Sequence, residues 1–239
     1  MKKILLAAIC FVGVQSLTAQ ETNSSTTTTT SSVTINETTV DDNYPFKFYF
    51  GFGISVPGDY KINDNLGAAG MPQLKDAMPE FIIGYNIGGK KVSVDIELAA
   101  SYLDKKTSSD RIKYTGANIV VRPHYVILNS EKFTFSGGLD LSYQMNRFDL
   151  YERGNVIDLN NLNPGTHTGH INLYNKQLNV GPSLTFIAFK NYDIPVKLTT
   201  GYQWSVLSSK WESEVANVAN SLREDGQGRF YARLSFYLN

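Results

Sequence analysis

The histidines of this sequence are the side chains with the widest range of chemistry, and two of them stand close together. His167 and His170 are three positions apart, a spacing at which two imidazoles can share a metal ion. No carboxylate lies nearer to them than Asp158, and the sole cysteine of the sequence is Cys10. We therefore interpret the pair as part of a solvated loop and predict no metal site.

His124 stands in a different setting, two positions after Arg122 in a segment where apolar and polar residues alternate. On a strand, alternate side chains point to opposite faces, so these two residues share a face. A histidine on that polar face is expected to be a hydrogen-bond partner inside the protein rather than a catalytic base. The sequence accordingly predicts no catalytic residue and no cofactor site.

Charged side chains recur on the polar face of the alternating segments, the face on which His124 also lies. The set comprises Lys47, Glu80, Asp95, Glu97, Arg122, His124, Asp140, Lys197, Arg229 and Arg233. An isolated buried charge is costly, and close pairing offsets much of that cost. We predict that these side chains form a hydrogen-bonded charge network inside the protein. A narrow gated conduit through the network is the functional alternative.

The elements that position these charges are predicted to be strands, because apolar and polar residues alternate strictly along the chain. Asp95 and Glu97, for example, alternate with Val94, Ile96 and Leu98. Runs of this kind are about twice as long as a typical strand of a soluble protein. They span residues 46–56, 79–88, 91–103, 112–128, 132–146, 174–189, 194–207 and 228–239. In the fourth and sixth runs apolar residues fall on both parities, so a bulge could change which side chains face outward.

The connections between the runs alternate between short turns and long loops. The long ones cover residues 57–78, 104–111, 147–173 and 208–227. This alternation is typical of outer-membrane barrels, whose long loops face the outside of the cell. We predict an all-β fold, an eight-stranded antiparallel up-and-down transmembrane β-barrel over residues 46–239. Its apolar parity would face lipid, and its lumen would be only wide enough for side chains.

Aromatic residues distinguish this fold from a soluble β-sandwich or lipocalin-like barrel, in which the apolar parity would point inward. Tyr102, Tyr125, Tyr143 and Trp204 fall on the apolar parity near the ends of runs. Membrane barrels carry aromatic girdles at those positions, where the strands cross the membrane–water interface. The membrane barrel is therefore favoured over the soluble alternatives.

Residues 1–19 have the features of a secretory signal peptide. Two lysines precede an apolar run from Ile4 to Val14, and small residues lead to Ala19. Residues 20–45 are rich in Thr and Ser and are predicted to form a disordered periplasmic leader. Removal of the signal takes away two of the 22 basic residues and leaves 20 against 22 acidic residues. This near-neutral balance argues against nucleic-acid binding.

Two of the long loops carry apolar residues. In residues 209–224, Trp211, Val215, Val218 and Leu222 recur at helical spacing and predict a short amphipathic helix. Such a helix could pack on the barrel mouth, dock a partner or lie on the lipopolysaccharide surface. Similar apolar content is found in the first long loop, at Leu66, Met71, Leu74 and Met78.

The opening strand Phe46 to Gly53, the closing segment Arg229 to Asn239 and the leader end Thr18 to Gln20 resemble the small outer-membrane barrels of the OmpA/OmpX/OmpW type. The resemblance is greatest to the outer-membrane β-barrel domain family common in Bacteroidota. One departure is the ending Leu238-Asn239, because such barrels usually end on an aromatic residue that the assembly machinery reads. The resemblance implies roles in envelope integrity, adhesion, small-solute passage or a secretion apparatus.

Several functions therefore stand open at the level of the sequence. The first is a structural or surface-interaction barrel in the cell outer membrane, and the alternative is a porin-like or hydrophobic-solute channel. A lipid A-modifying barrel enzyme or a secretion-system component is a further alternative, although the histidines lack the adjacent serine and carboxylate that such catalysis needs. The expected partners are outer-membrane lipids and lipopolysaccharide, the outer-membrane assembly machinery, and an envelope or extracellular protein reached through the long loops.

Overall fold

The computed structural model describes residues 47–153, 169–219 and 222–238. In this part of the chain, eight strands form a closed barrel in which each strand pairs antiparallel with its sequence neighbours and the last pairs with the first. The strands are β1 (Lys47–Pro57), β2 (Met78–Gly88), β3 (Val92–Lys106), β4 (Asp110–Asn129), β5 (Phe133–Glu152), β6 (His170–Ala188), β7 (Val196–Ser208) and β8 (Gly228–Leu238). The predicted eight-stranded antiparallel barrel is confirmed, whereas the expected signal peptide (1–19) and leader (20–45) lie outside the described residues.

The apolar parity of the strands faces outward and the polar parity faces the lumen. In β3, Ile96 and Leu98 are 47% and 49% exposed, whereas Asp95 and Glu97 are 3% and 1% exposed. This is the reverse of a soluble sandwich or lipocalin-like barrel, in which the apolar side chains fill the interior. The fold is therefore a transmembrane barrel with a lipid-facing apolar belt.

Bulges adjust two of the strand ladders in the described residues without changing the predicted faces. On the β4–β5 ladder the extra residue is Ile127, between Val126 and Leu128. On the β6–β7 ladder the register shifts by one residue at Val206 of β7. Because Ile127 lies near the end of β4 and the second extra residue is on β7 rather than β6, the middle parts of β4 and β6 keep the phase predicted from the sequence.

The connections gather at two different rims. The turns 89–91, 130–132 and 189–195 form one end of the barrel, which we call the short-turn rim, and the opposite end is the long-loop rim. At the long-loop rim the strands run further than predicted. The expected loop 104–111 is a turn of residues 107–109, and the expected loop 147–173 is shortened to 153–169.

On the outward parity of the extended strand ends, ion-paired side chains replace the apolar ones. Arg111 Nε donates to Asp104 Oδ1 at 2.8 Å across the β3–β4 ladder. On β5, Arg147 Nε donates to Asp149 Oδ2 at 3.1 Å. Exposed pairs of this kind contribute only about 0–1 kcal/mol each. The outward apolar parity therefore ends while backbone pairing continues, and the predicted strands stop too early for that reason.

The described loops also differ from expectation in their helices. The connection between β1 and β2 contains α1 (Ile62–Ala68), which the sequence analysis did not predict. The helix predicted within residues 209–224 is wrong, because the described part of that segment forms isolated bridges such as Lys210–Arg223 instead. No helix in the described ranges is long and apolar enough to cross a membrane.

The lipid-facing belt can be tested by placing a charge on it. Leu98→Arg should lower the free energy of unfolding from phosphatidylcholine bilayers by about 2–4 kcal/mol, because the side chain meets hydrocarbon near the middle of β3. The measurement is a denaturant titration followed by tryptophan fluorescence. Val215→Arg, at an exposed loop position, is the matched control and should leave the folding free energy unchanged. Equal behaviour of the two variants would contradict a lipid-facing belt.

Candidate functional site: the charged lumen and its apolar cap

Buried charged side chains from the inward parity meet across the lumen. The acids are contributed by β2, β3 and β5, and the bases by β4, β7 and β8, so the contacts run across the barrel as well as between neighbouring strands. We refer to these residues as the lumen network: Glu80, Asp95, Glu97, Arg122, Asp140, Lys197, Arg229 and Arg233.

Arg122 is the centre of the lumen network. Its side chain is fully buried, and Nε donates to Asp140 Oδ1 at 2.8 Å. The Nη1 atom lies 3.3 Å from Asp95 Oδ2 and 3.3 Å from Glu97 Oε2. A guanidinium is planar and carries several donors in a fixed geometry. Arg122 therefore ties β4 to β3 on one side and to β5 on the other with a single group.

Two further cations continue the network from Arg122 toward β7 and β8. Lys197 Nζ lies 2.5 Å from Asp95 Oδ2. Arg233 donates through Nη1 to Glu97 Oε1 at 2.5 Å and through Nε to Glu80 Oε2 at 2.8 Å. Charges that are paired and hydrogen-bonded in this way avoid the penalty of an isolated buried ion. The chain of contacts therefore links β2, β3, β4, β5, β7 and β8.

Neutral side chains complete the coordination of the buried carboxylates. Asp140 accepts hydrogen bonds from Ser183 Oγ at 2.6 Å, from Gln203 Nε2 at 2.9 Å and from the hydroxyl of Tyr231. The Tyr49 hydroxyl donates to Glu97 at 3.0 Å. With Tyr49 on β1 and Ser183 on β6, every strand of the described barrel contributes a side chain to this layer.

A glycine makes room for one of these tyrosines. A Cβ atom on Gly84 would lie 2.5 Å from the Tyr49 ring, which is closer than real Cβ contacts. The ring in turn lies under Lys197, whose ammonium is 4.0 Å from the ring centroid, a cation–π contact. Gly84 on β2 therefore leaves room for the Tyr49 ring, which contacts Glu97 and Lys197 of the lumen network.

Two of the predicted network residues lie apart from it. His124 is buried near the short-turn rim, with Nδ1 3.1 Å from Ser136 Oγ and Nε2 2.7 Å from Ser183 Oγ. It touches Asp140 only indirectly, through the shared Ser183. Lys47 is the first residue of β1 and is partly exposed at the short-turn rim. Among the described residues it forms no ion pair with the lumen network, so its membership stays a prediction.

A cavity of about 180 Å³ lies at the short-turn rim beyond the lumen network. Lys47, Asp95, His124, Lys190 and Tyr237 are among the residues that line it. Asp95 forms the inner boundary, because it is already bound to Lys197 and Arg122. The network therefore separates this cavity from the long-loop half of the barrel.

At the long-loop half, an apolar cluster replaces the charges. It joins residues of β2, β4 and β5 to residues of two loops, and we call it the apolar cap: Tyr60, Ile62, Leu66, Leu74, Met78, Ile112, Tyr114, Phe148, Leu150 and Trp211. Phe148 is central, with its ring centroid 4.8 Å from that of Trp211 and 5.2 Å from that of Tyr114. The helix α1 presents Ile62 and Leu66, four residues apart on one face, to this cluster.

One buried carboxylate joins the two loops of the cap. Glu224 is fully buried and accepts hydrogen bonds from the backbone N–H of Lys61 at 2.7 Å and of Ile62 at 3.1 Å. It also accepts one from Trp211 Nε1 at 2.9 Å. The first N–H groups of a helix have no partner within the helix. Glu224 therefore caps the start of α1 from a loop that follows it by more than 160 residues.

The residues that suggested a helix in residues 209–224 serve the cap instead. Trp211 is buried in it and Leu222 packs against it, whereas Val215 is exposed. Their helical spacing was therefore coincidental. The sequence did contain the signal for the cap, in the apolar residues Leu66 and Leu74 of the first loop, but it gave no indication of the contact with Glu224.

The histidine pair is only partly described, because His167 lies outside the described residues. His170 is the first residue of β6 and stacks on Tyr151, with ring centroids 4.5 Å apart. Its Nε2 lies 3.3 Å from Asp149 Oδ1. The interpretation of His170 as a loop residue is therefore wrong, because the β5–β6 ladder extends to include it. No cluster of three or more potential metal ligands occurs among the described residues.

Comparison with known proteins gives a likeness in fold. No protein-family model matches the sequence, and no curated protein matches it. The chain is similar to Ail, the attachment invasion locus protein of Yersinia pestis, with 12% identity and a TM-score of 0.47 over 80% of this chain and 96% of that one. Neisserial surface protein A has 9% identity and a TM-score of 0.44 over 80% of this chain and 96% of that one. CarO of Acinetobacter baumannii has 9% identity and a TM-score of 0.30 over 78% of this chain and 96% of that one.

The central role of Arg122 predicts an asymmetric response to substitution. Arg122→Met should lower the free energy of unfolding by about 3–5 kcal/mol, because it leaves the buried Asp140 without an ion-pair partner and removes a second cation from Asp95 and Glu97. Arg111→Met removes an exposed partner of Asp104 and should cost about 1 kcal/mol or less. Urea unfolding of both variants in the same detergent measures the difference. Similar small losses would show that the lumen network is dispensable.

The cap contact can be tested by hydrogen exchange. Glu224→Gln places an amide NH₂ among donors, so the amides of Lys61 and Ile62 should exchange about tenfold faster or more. Exchange is followed by mass spectrometry of the fragment containing α1. Glu214→Gln, an exposed substitution on the same loop, should leave these amides unchanged. Unaltered exchange in Glu224→Gln would mean that the two loops are held together by apolar contacts alone.

Proposed function

We propose that this protein is a closed outer-membrane barrel with a structural or surface-interaction role. The observation that carries the proposal is Arg122, which lies buried across the lumen and binds carboxylates of β3 and β5. A path for solutes would have to separate these pairs. Removing one partner of a buried ion pair costs about 3–5 kcal/mol, and several pairs would have to open together. The lumen therefore serves as a plug that stabilises the barrel.

The apolar cap forms a second barrier of opposite chemistry. Ions and polar solutes meet the buried rings of Phe148 and Trp211 before they reach the charges. Hydrophobic solutes that passed the cap would then meet the lumen network. Two barriers in series, one apolar and one charged, support neither a porin-like pore nor a channel for hydrophobic solutes.

The chemistry of the described histidines favours a non-enzymatic role. His124 is buried between two serine hydroxyls, Ser136 and Ser183, at the short-turn end of the lumen. His170 pairs with Asp149, which already accepts hydrogen bonds from Arg147 and Asn172. Nucleophilic catalysis needs a hydroxyl or thiol bound to a base that a third group orients directly. His124 reaches the carboxylate of Asp140 only through Ser183, and the hydrogen bond described for His170 is to Asp149 rather than to a hydroxyl.

The proposed location follows from the expected signal peptide and from the two rims. An exported barrel inserts with its short turns in the periplasm and its long loops outside the cell. The apolar belt would then contact outer-membrane lipids and lipopolysaccharide after insertion by the assembly machinery. The extended ends of β4, β5 and β6 would stand above the membrane, where they offer a surface to an envelope or extracellular protein.

The proposal predicts an outer-membrane protein without conductance. The protein should fractionate with outer membranes and should change its gel mobility on heating, because the closed barrel resists detergent until heated. Reconstituted in planar bilayers, it should give no discrete conductance steps. Steps in the unmodified protein would contradict the closed lumen, and recovery from the soluble periplasm would contradict the location.

A variant separates the two barriers in the same bilayer experiment. Glu224→Gln loosens the cap and leaves the lumen network intact, so it should remain silent. An established porin added to the same bilayer provides the positive control. Conductance in Glu224→Gln alone would show that the cap, rather than the lumen network, closes the barrel.

A further inference from the structure

An outward-facing groove of about 450 Å³ lies at the short-turn rim, where β5 begins and β6 turns into β7. Aromatic rings form its walls and two lysines stand at its edge, as its lining shows: Lys132, Phe133, Phe186, Ala188, Phe189, Lys190, Asn191 and Tyr192. Phe133 and Phe186 belong to the lipid-facing parity, with ring centroids 5.8 Å apart. The groove is therefore continuous with the apolar belt of the barrel. We call it the Phe189 groove.

The backbone of Phe189 is strained. Its φ is 59°, and among residues 47–153, 169–219 and 222–238 it is the one non-glycine residue with a positive φ. The left-handed region is unfavourable for a residue with a Cβ atom, and especially for a bulky one, whereas glycine enters it freely. Such strain persists when the surroundings or a function require it.

The strain places an aromatic ring where the protein itself contacts little of it. Phe189 is 54% exposed and Tyr192 is 68% exposed. The two rings form an edge-to-face pair with centroids 5.6 Å apart and an interplanar angle of 88°. The pair stands out from the end of the barrel rather than packing into a core. Its contact area is available to a ligand of the membrane interface.

Positive charge lies beside these rings. Lys132 is exposed, and in the described part of the chain its ammonium has no ion pair. Lys190 is held by hydrogen bonds from Nζ to Asn129 Oδ1 at 2.6 Å and to Ser130 O at 2.9 Å. Partial burial, with a smaller contribution from Lys47, lowers the pKa of Lys190. An anion at the edge of the groove would give Lys132 an ion-pair partner and would favour the charged form of Lys190.

We propose that the Phe189 groove binds one anionic phospholipid, with its phosphate at Lys132 and an acyl chain along Phe133 and Phe186. Acyl chains fit apolar walls continuous with the lipid-facing belt, and basic residues near a membrane surface attract anionic lipid headgroups. The assignment of this lipid to the periplasmic leaflet rests on the proposed orientation of the barrel. Binding itself requires only the groove.

The test uses the full-length protein in a nonionic detergent with added phosphatidylglycerol or phosphatidylcholine, followed by native mass spectrometry. One phosphatidylglycerol should remain bound in preference to phosphatidylcholine. Lys132→Gln should weaken its retention about fivefold, and Lys132→Arg should preserve it. Lys91→Gln, at an exposed position on the same rim, is the matched charge control and should bind normally. Equal retention by Lys132→Gln and the unmodified protein would overturn the assigned phosphate contact.

Phe189→Gly separates lipid binding from stability. The variant should retain less phosphatidylglycerol, and its denaturation midpoint in lipid-free detergent should be equal or higher, because glycine relieves the backbone strain. Phe52→Ala is the control, since Phe52 pairs with Phe81 on the outer face at the same centroid distance of 5.6 Å outside the groove. Undiminished retention in Phe189→Gly, or an equal loss in Phe52→Ala, would overturn the site. Neither result depends on whether the barrel conducts.

Discussion

The structure depends on the pairing of charges in a lumen that has room only for side chains. An eight-stranded barrel is too narrow to hold a wide aqueous channel, so an inward charge must find its partner on another strand. Arg122 meets this requirement by binding carboxylates on both neighbouring strands. The tyrosines and serines around it donate further hydrogen bonds to the buried carboxylates. The same contacts that satisfy the charges therefore also hold the strands in one register.

The two halves of the lumen are filled by side chains of different chemistry. Around Arg122 the side chains are charged and are held by directional bonds. Toward the long-loop rim the lumen is filled by Phe148, Trp211 and the apolar face of α1. Glu224 makes this second arrangement possible, because it satisfies the N–H groups at the start of α1 that would otherwise be buried without partners. The carboxylate of Glu224 therefore fixes the position of the apolar side chains that α1 presents to the cap.

The sequence predicts those parts of the structure that depend on a local period. Asp95 and Glu97 could be placed in the lumen because their neighbours alternate with them. The period ends where Asp104 and Arg111 replace apolar residues with an ion pair, and the predicted strands ended too early for that reason. The contact of Glu224 with Ile62 spans most of the barrel sequence and leaves no periodic trace. Lys47 has the inward parity, but parity alone does not show whether a residue at a strand end reaches a partner in the lumen.

Regular and irregular parts of the chain consequently carry different roles. The alternating strands need only lipid outside and paired charges inside, and many sequences satisfy these conditions. Phe189 does not follow from either condition, because glycine would make the same turn without strain. A bulky residue in a left-handed conformation beside the exposed Lys132 needs a reason outside the barrel itself. The membrane interface supplies one, since an aromatic ring and a cation there can share a single anionic lipid.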